Sequence, residues 1–190
     1  MKNVLLVIAV CVFWSIDSFA QEITWLTWEE VSEKMHEEPR KVLVDVYTEW
    51  CGYCKKMDKS TFIDKDLANY INENYYAIKF DAEFKSSIYL HGTEYKYVNK
   101  GSKGYHELAA MILRGKMKYP TLVFMDSNLE VIQPIPGYRD AKTLTMILDY
   151  FDGDYHKEMP WKTFSKSYEE HKVKSEPVKQ VPVYNVGKGN

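Results

Sequence analysis

Two cysteines separated by two residues form the motif Cys51-Gly52-Tyr53-Cys54, the part of this sequence best suited to chemistry. A stretch of β-branched and aromatic residues leads into the motif and a helical pattern follows it, so Cys51 is predicted to lie at a helix N-terminus. There the unpaired backbone N–H groups and the helix dipole stabilise a thiolate. Cys54 lies one turn further on. The pattern predicts reversible disulfide exchange, in which Cys51 attacks a substrate disulfide and Cys54 resolves the mixed disulfide.

The same cysteine pair has two alternative interpretations, as part of a zinc site or as a purely structural disulfide. Zinc needs four ligands, but the sequence has no second cysteine pair, and its five histidines show no ligand spacing relative to Cys51. One of them, His106, is interpreted as a surface or helix-capping residue. A disulfide that closes so short a loop stabilises a fold little, so redox exchange is favoured while both alternatives stay open. We expect no metal and no bound cofactor.

The first twenty residues have the pattern of a secretory signal peptide. Lys2 precedes an apolar run over residues 4–14, which is shorter than the ~20 apolar residues of a membrane-spanning helix. Small residues stand at the expected cleavage site, after Ala20. We therefore expect a periplasmic or secreted protein that keeps only the cysteine pair of the motif. A buried N-terminal helix and a lipid anchor at Cys11 are the alternatives.

The composition limits the other functions that the chain can have. It has 190 residues, 45% of them hydrophobic and 27% charged, which fits one domain with a full-sized core and excludes a disordered chain. The formal net charge is -2 at pH 7. Such a balance does not indicate nucleic acid or an anionic membrane surface as a partner.

The spacing of apolar residues predicts an alternating series of helices and strands over residues 21–153. In chain order these are helix 28–38, strand 41–47, an interrupted helix over 52–74, strand 75–81, a weak hairpin within 86–98, helix 105–115, strands 121–125 and 130–135, and a helix that closes at Gly153. Strand 41–47 is apolar on both faces except at Asp45, as in a central strand. The order predicts an α/β fold with a mixed central sheet flanked by helices. Residues 154–190 are predicted to be a C-terminal extension, with a helix over 160–171 and then a flexible tail.

The residues around the cysteine motif carry a family resemblance. Residues 43–47, followed by residues 49–55, resemble the active-site strand and helix start of thioredoxin-fold oxidoreductases. Three further features agree with the family in their order along the chain: Lys79, the Tyr119-Pro120 pair and Gly137. The resemblance extends over residues 41–151 and is strongest to the exported thioredoxin-like branch of Bacteroidetes-type bacteria.

The resemblance implies roles for the matching residues. Asp45 matches the buried acid beneath the second cysteine, and Lys79 matches the lysine that pairs with it. Because Asp45 is predicted on a strand covered on both faces, its pKa is expected to be raised, so that it can accept the proton of Cys54. A cis bond before Pro120 is implied, and it would offer the Tyr119 backbone to an extended substrate strand. The implied substrate-binding residues are Trp50, Gly52, Tyr53, Tyr119, Pro120 and Gly137.

The chain departs from the family pattern in one interval. The stretch from Lys79 to Pro120 is longer than in compact thioredoxins, so residues 84–104 are interpreted as an insertion beside the substrate groove. The residues between the cysteines do not set the direction of electron flow.

These features predict an exported thiol–disulfide oxidoreductase that acts as a reductase or isomerase. Its expected partners are proteins with thiols or disulfides, together with a membrane-bound redox partner, because an oxidising compartment does not supply electrons. A non-catalytic binding module and a metallochaperone are the alternative functions.

Overall fold

The computed structural model describes residues 22–101 and 104–168. The predicted signal peptide and the predicted tail from residue 172 lie outside the described residues. Within those two ranges, no helix combines the length and the apolar character needed to cross a membrane. The described residues divide into two compact units, the first ending at Ala141 and the second beginning at Lys142.

The first unit is built on a mixed sheet. Among its described residues the strands are β1 (Trp25–Leu26), β2 (Lys41–Tyr47), β3 (Tyr75–Asp81), β4 (Ile88–Leu90), β5 (Thr93–Tyr95), β6 (Tyr97–Val98), β7 (Tyr105–His106), β8 (Thr121–Met125) and β9 (Val131–Pro136). The central sheet has the order β1-β3-β2-β8-β9, and β2 runs parallel to β3 and antiparallel to β8. The mixed central sheet predicted from the sequence is therefore confirmed.

Helices flank this sheet. The helices of this unit are α1 (Trp28–Glu37), α2 (Gly52–Ser60), α3 (Lys65–Asn74) and α4 (Glu107–Ile112). Buried side chains of α1 and α4 belong to the core on the sheet face that carries Val42, Val44 and Val46. Since side chains alternate along a strand, Asp45 lies on the opposite face, where Asp58 of α2 contacts Lys79.

Strand β2 is the centre of the fold and leads directly to the cysteine motif. Its five inner residues are all buried, and three of them are valines, whose branched side chains favour extended backbone. The register places Asp45 opposite Lys79 on β3 and opposite Leu122 on β8. The only charged residue inside the strand therefore has a lysine as its neighbour across the sheet.

The predicted interruption of the helix over 52–74 is confirmed. Helix α2 ends at Ser60, and α3 begins at Lys65 with Asp64 as its cap, whose side chain accepts a hydrogen bond from the Leu67 N–H at 3.0 Å. Between the two helices the Thr61 hydroxyl donates to the Arg139 carbonyl at 2.6 Å. This bond ties the end of the cysteine-bearing helix to the loop that follows β9.

The stretch interpreted as an insertion contains one small hairpin and the first strand of a second one. Strands β4 and β5 pair across a turn at His91 and Gly92, as the weak hairpin pattern predicted, and both turn residues have positive φ, 51° and 72°. The second hairpin, β6 with β7, was not predicted. It brings the Tyr97 ring so close to Gly104 that a Cβ there would lie 1.7 Å from the tyrosine oxygen, so a larger residue at this position would require the ring to move.

The prediction of a helix over 105–115 is wrong at both ends. Residues 105 and 106 form β7, because they pair with Tyr97 and Val98, and α4 runs only from Glu107 to Ile112. Of the two roles predicted for His106, surface or helix-capping, the capping role is confirmed: its ring nitrogen Nδ1 accepts from the Leu108 N–H at 3.2 Å, and the residue is fully buried.

The second unit contains helices α5 (Ala141–Asp152), α6 (Tyr155–Glu158) and α7 (Trp161–Lys166). An aromatic cluster holds its helices together: the ring of Tyr150 lies 5.0 Å from that of Phe164, and the Tyr150 hydroxyl donates to the Met159 carbonyl at 2.7 Å. The helix predicted over 160–171 is shorter than expected, because Ser167 leaves the helical conformation with φ -112°. Residues 169–171 lie outside the described part of the chain.

Candidate active site

The cysteine pair lies where the central strand passes into α2. Cys51 is the N-cap residue of this nine-residue helix, with extended backbone, and a disulfide joins it to Cys54. The Cys54 N–H, one of the donors left free at a helix start, points at Cys51 Sγ at 3.1 Å. A thiolate formed at Cys51 on reduction would therefore receive a hydrogen bond as well as the favourable end of the helix dipole.

The two cysteines differ in their surroundings. Cys51 is 5% exposed and Cys54, one turn inside the helix, is 2% exposed. The Gly52 that follows Cys51 has no other atom within 4 Å of the position of a Cβ, so the surface beside Cys51 is open. This arrangement suits Cys51 to attack a large substrate and Cys54 to react within the protein.

Asp45 is an ionisable group in the interior of the sheet. It is 1% exposed, its Oδ2 accepts from Lys79 Nζ at 3.2 Å, and its Oδ1 has no hydrogen-bond partner among the described residues. Burial raises the pKa of Asp45 to about 6 from its usual 3.8, although the Lys79 ammonium opposes the rise. The carboxyl group can therefore take up or release a proton near neutral pH, which confirms the expected direction of the shift.

Lys79 bridges two carboxylates. Besides Asp45 it pairs with Asp58, which lies on α2 four residues after Cys54. The Asp58 side chain is 39% exposed, so the pair connects the buried acid with the protein surface. Asp58 was not predicted as a site residue, although its four-residue spacing from Cys54 placed the two residues on the same face of a predicted helix.

One side of the motif is bordered by aromatic rings and carboxylates. Trp50 is 67% exposed, and its ring meets that of Tyr119 edge to face at 5.8 Å. The indole Nε1–H donates to Glu83 at 3.0 Å, which fixes the exposed ring. Burial, and then the nearby carboxylates of Glu83 and Asp81, raise the pKa of Tyr119 to about 12. Glu83 was missed because it is 33 residues away in sequence.

A second aromatic pair at the motif is formed by two tyrosines. Tyr53 is 65% exposed, and its ring lies 6.5 Å from that of Tyr138. The Lys56 ammonium lies over the Tyr138 ring at 4.6 Å. Tyr138 was also missed, and its position directly after the predicted groove residue Gly137 is the only sequence signal that pointed to it.

The loop before β8 has the geometry expected from the resemblance. The Tyr119–Pro120 peptide bond is cis, and the Pro120 carbonyl accepts from the Gly137 N–H at 2.7 Å. Gly137 has φ +97°, a conformation that L side chains rarely adopt. Pro120 and Gly137 are thus brought together, and Tyr119 is brought to Trp50.

The described part of the chain offers no cluster for a metal ion. Within it, no three histidine, cysteine, aspartate or glutamate side chains come together in a way that could hold one.

The fold and the family agree. The thioredoxin-like domain family matches residues 28–152, more than half of the chain, so the protein belongs to the thioredoxin-like domain family. With its Cys-x-x-Cys disulfide it is a thioredoxin-like relative of the disulfide oxidoreductases.

Individual relatives are more distant. The thiol:disulfide interchange protein DsbD of Colwellia psychrerythraea is 28% identical over 80 residues, which cover 40% of this chain and 13% of that protein. A thioredoxin-fold protein from Helicobacter pylori has a TM-score of 0.52 at 16% identity, over 73% of this chain and 87% of that one. A thioredoxin from Thermus thermophilus has a TM-score of 0.50 at 16% identity, over 68% and 87% of the two chains. The structural likenesses show the fold.

The burial of Asp45 leads to a prediction about stability. Its pKa is raised in the folded protein, so its contribution favours folding below about pH 4 and is lost as the pH rises through about 6. The variant Asp45→Asn cannot ionise at this position and so avoids this loss. We expect its free energy of unfolding near pH 8 to be about 3 kcal/mol higher than that of the wild type, because each unit of pKa shift corresponds to about 1.4 kcal/mol. Denaturant unfolding of the disulfide form at several pH values measures the difference.

The gain from Asp45→Asn should shrink toward zero near pH 4, where both proteins are neutral at this position. Asp66→Asn, at an exposed carboxylate of α3, controls for the change in net charge. A gain that is absent near pH 8, or equal at both pH values, would contradict an ionised Asp45 in the core.

Proposed function

We propose that this protein is an exported thiol–disulfide oxidoreductase that acts on protein substrates as a reductase or isomerase. The observation that carries the proposal is the disulfide between the N-cap cysteine of α2 and Cys54, with a backbone N–H directed at Cys51 Sγ. The match to a thiol:disulfide interchange protein supports the same class of reaction.

The reaction begins from the reduced cysteine pair. The Cys51 thiolate attacks one sulfur of a substrate disulfide, forms a mixed disulfide and releases the other substrate sulfur as a thiolate, which takes a proton from water. The hydrogen bond from the Cys54 N–H holds the attacking sulfur in its ionised form. The exposed rings of Trp50, just before Cys51, and of Tyr53, between the cysteines, provide apolar surface for a polypeptide.

The second step releases the substrate. The Cys54 thiol passes its proton to Asp45 and attacks Cys51 Sγ, which forms the intramolecular disulfide and expels the second substrate thiolate. The substrate disulfide has then gained two electrons and become two thiolates, which take their protons from water. The enzyme has lost two electrons, and the proton of Cys54 leaves through Asp45. A proton acceptor with a pKa of about 6 suits this transfer at neutral pH, because it is ionised before the step and gives the proton up afterwards.

The enzyme must then be reduced again. In an oxidising compartment the electrons have to come from a partner that carries them from elsewhere, and a membrane-bound thiol reductant is the expected class. The partner would exchange disulfides with the same Cys51, since it is the more accessible of the two cysteines.

The cysteine roles lead to an activity prediction. In an insulin-type reduction assay with dithiothreitol, we expect Cys51→Ser to lose the activity completely, because no nucleophile remains. Cys54→Ser should instead accumulate a covalent complex with a disulfide substrate, visible by non-reducing electrophoresis, because the mixed disulfide cannot be resolved. Both variants replace sulfur by oxygen at neighbouring positions, so each controls for the other.

A binding module would give another result. If wild type and Cys51→Ser turned over substrate at the same low rate and Cys54→Ser trapped nothing, the protein would bind polypeptides without catalysing exchange.

The role of Asp45 leads to a kinetic prediction. We expect Asp45→Asn to slow the resolution of a preformed mixed disulfide on the order of a hundredfold near neutral pH, the scale of general base catalysis. Attack by Cys51 should slow much less, because its thiolate is stabilised by the helix start. Stopped-flow measurement of each step separates them, and equal slowing of both steps would refute Asp45 as the proton acceptor.

Export also has a direct test. We expect the full-length chain, expressed in a Gram-negative host, to reach the periplasm and to lose residues 1–20. Intact mass measurement of the purified periplasmic protein should show an N-terminus at Gln21. Recovery of the uncleaved chain in the cytoplasm would contradict the proposed location.

A further inference from the structure

Three aromatic rings surround the ammonium group of Lys79. Lys79 Nζ lies 5.2 Å from the ring centre of Trp25, 5.2 Å from that of Tyr47 and 5.3 Å from that of Phe62. The rings come from β1, from the end of β2 and from the turn after α2. The rings of Trp25 and Phe62 also meet edge to face at 5.2 Å, so they support each other.

The position of Trp25 is fixed by its own neighbours. Strand β1 has only two residues and pairs in parallel with β3 at the edge of the sheet. Asn72 of α3 anchors the segment before Trp25 with both polar atoms of its side-chain amide. The amide oxygen accepts from the Thr24 N–H at 2.9 Å, and the amide nitrogen donates to the Glu22 carbonyl at 2.8 Å. The Trp25 ring is therefore held over Lys79 by strand pairing and by the two bonds of Asn72.

The surroundings leave room for the ammonium group to move. A cavity of about 400 Å³ borders Lys79 and is lined in part by Trp25, Asp58 and Phe62. A lysine side chain is flexible, and Asp58 on this side competes with the buried Asp45 for its charge. Without the rings, Lys79 could leave Asp45 and turn to Asp58 and the cavity.

We propose that Trp25 and Phe62 are positioning residues that hold the Lys79 ammonium against the Asp45 carboxylate. The inference rests on the proposed function in one respect, namely that Asp45 accepts a proton during resolution. The charged and titratable groups that act on Asp45 are Lys79 on β3, Asp58 on α2 and the neighbouring Tyr47. Of these only Lys79 favours the ionised carboxylate, so its position decides how readily Asp45 ionises.

The test is a carbon-13 NMR titration of the Asp45 carboxyl group in the purified disulfide form. We expect Trp25→Leu and Phe62→Leu each to move its midpoint upward by roughly half a pH unit, the scale of a cation–π contact. Trp25→Phe keeps a ring and should restore the wild-type midpoint. If Trp25→Leu does not fold, Phe62→Leu tests the same contact alone.

A double variant separates positioning from general loosening of the fold. In the Lys79→Met background, the additional replacement Trp25→Leu should leave the midpoint unchanged, because the group through which the ring acts is gone. Leu26→Ala lies on the same strand but belongs to the core on the other sheet face, so it should not move the midpoint in the wild-type background.

An equal shift from Trp25→Leu with and without Lys79, or no shift in the wild-type background, would overturn the proposal. The titration needs no substrate, so its result does not depend on catalysis. If the midpoint moves as expected while the pH profile of mixed-disulfide resolution does not follow it, the positioning role stands and the proton-acceptor role of Asp45 fails.

Discussion

The rest of the site depends on one carboxyl group, Asp45, in the middle of a sheet that is covered on both faces. An isolated charge at this position would cost several kcal/mol, and the fold lowers that cost with a lysine in register on the neighbouring strand. The compensation is incomplete, because the pKa of Asp45 remains at about 6. A residue that is costly for stability and titrates near neutral pH is typical of a functional position rather than of a structural ion pair.

The architecture connects this acid to the cysteines. Strand β2 carries Asp45 and passes into the N-cap of α2, and α2 returns over the same sheet face to bring Asp58 to Lys79. The same helix therefore supplies the N-terminus that stabilises a thiolate, both cysteines, and a carboxylate of the charge network. A change in the helix position would alter the surroundings of Cys51 and Asp45 together, the groups that we propose as nucleophile and proton acceptor.

Much of the site could be predicted because its residues lie in short sequence motifs that follow one another in a recognisable order along the chain. The cysteine motif, Asp45 and the central strand are local patterns, and the cis bond before Pro120 followed from the family resemblance. The partners Glu83 and Trp25 could not be predicted, since each reaches the site through tertiary packing and carries no local signal, and Tyr138 had only its position after Gly137 to indicate it. The wrong start of the predicted helix at residue 105 has a similar cause: apolar spacing at Tyr105 fitted a helix, but pairing with β6 drew residues 105 and 106 into a strand.

The proposed function requires the Cys51–Cys54 disulfide to be a reversible two-electron couple and not a structural bridge. Its reduction potential, measured by equilibration with glutathione or dithiothreitol buffers, tests this most directly. We expect a value within roughly -270 to -120 mV, the span of thioredoxin-like enzymes, and its position in that span indicates whether the protein reduces or oxidises its substrates. A value below about -300 mV, typical of structural disulfides in secreted proteins, would contradict it.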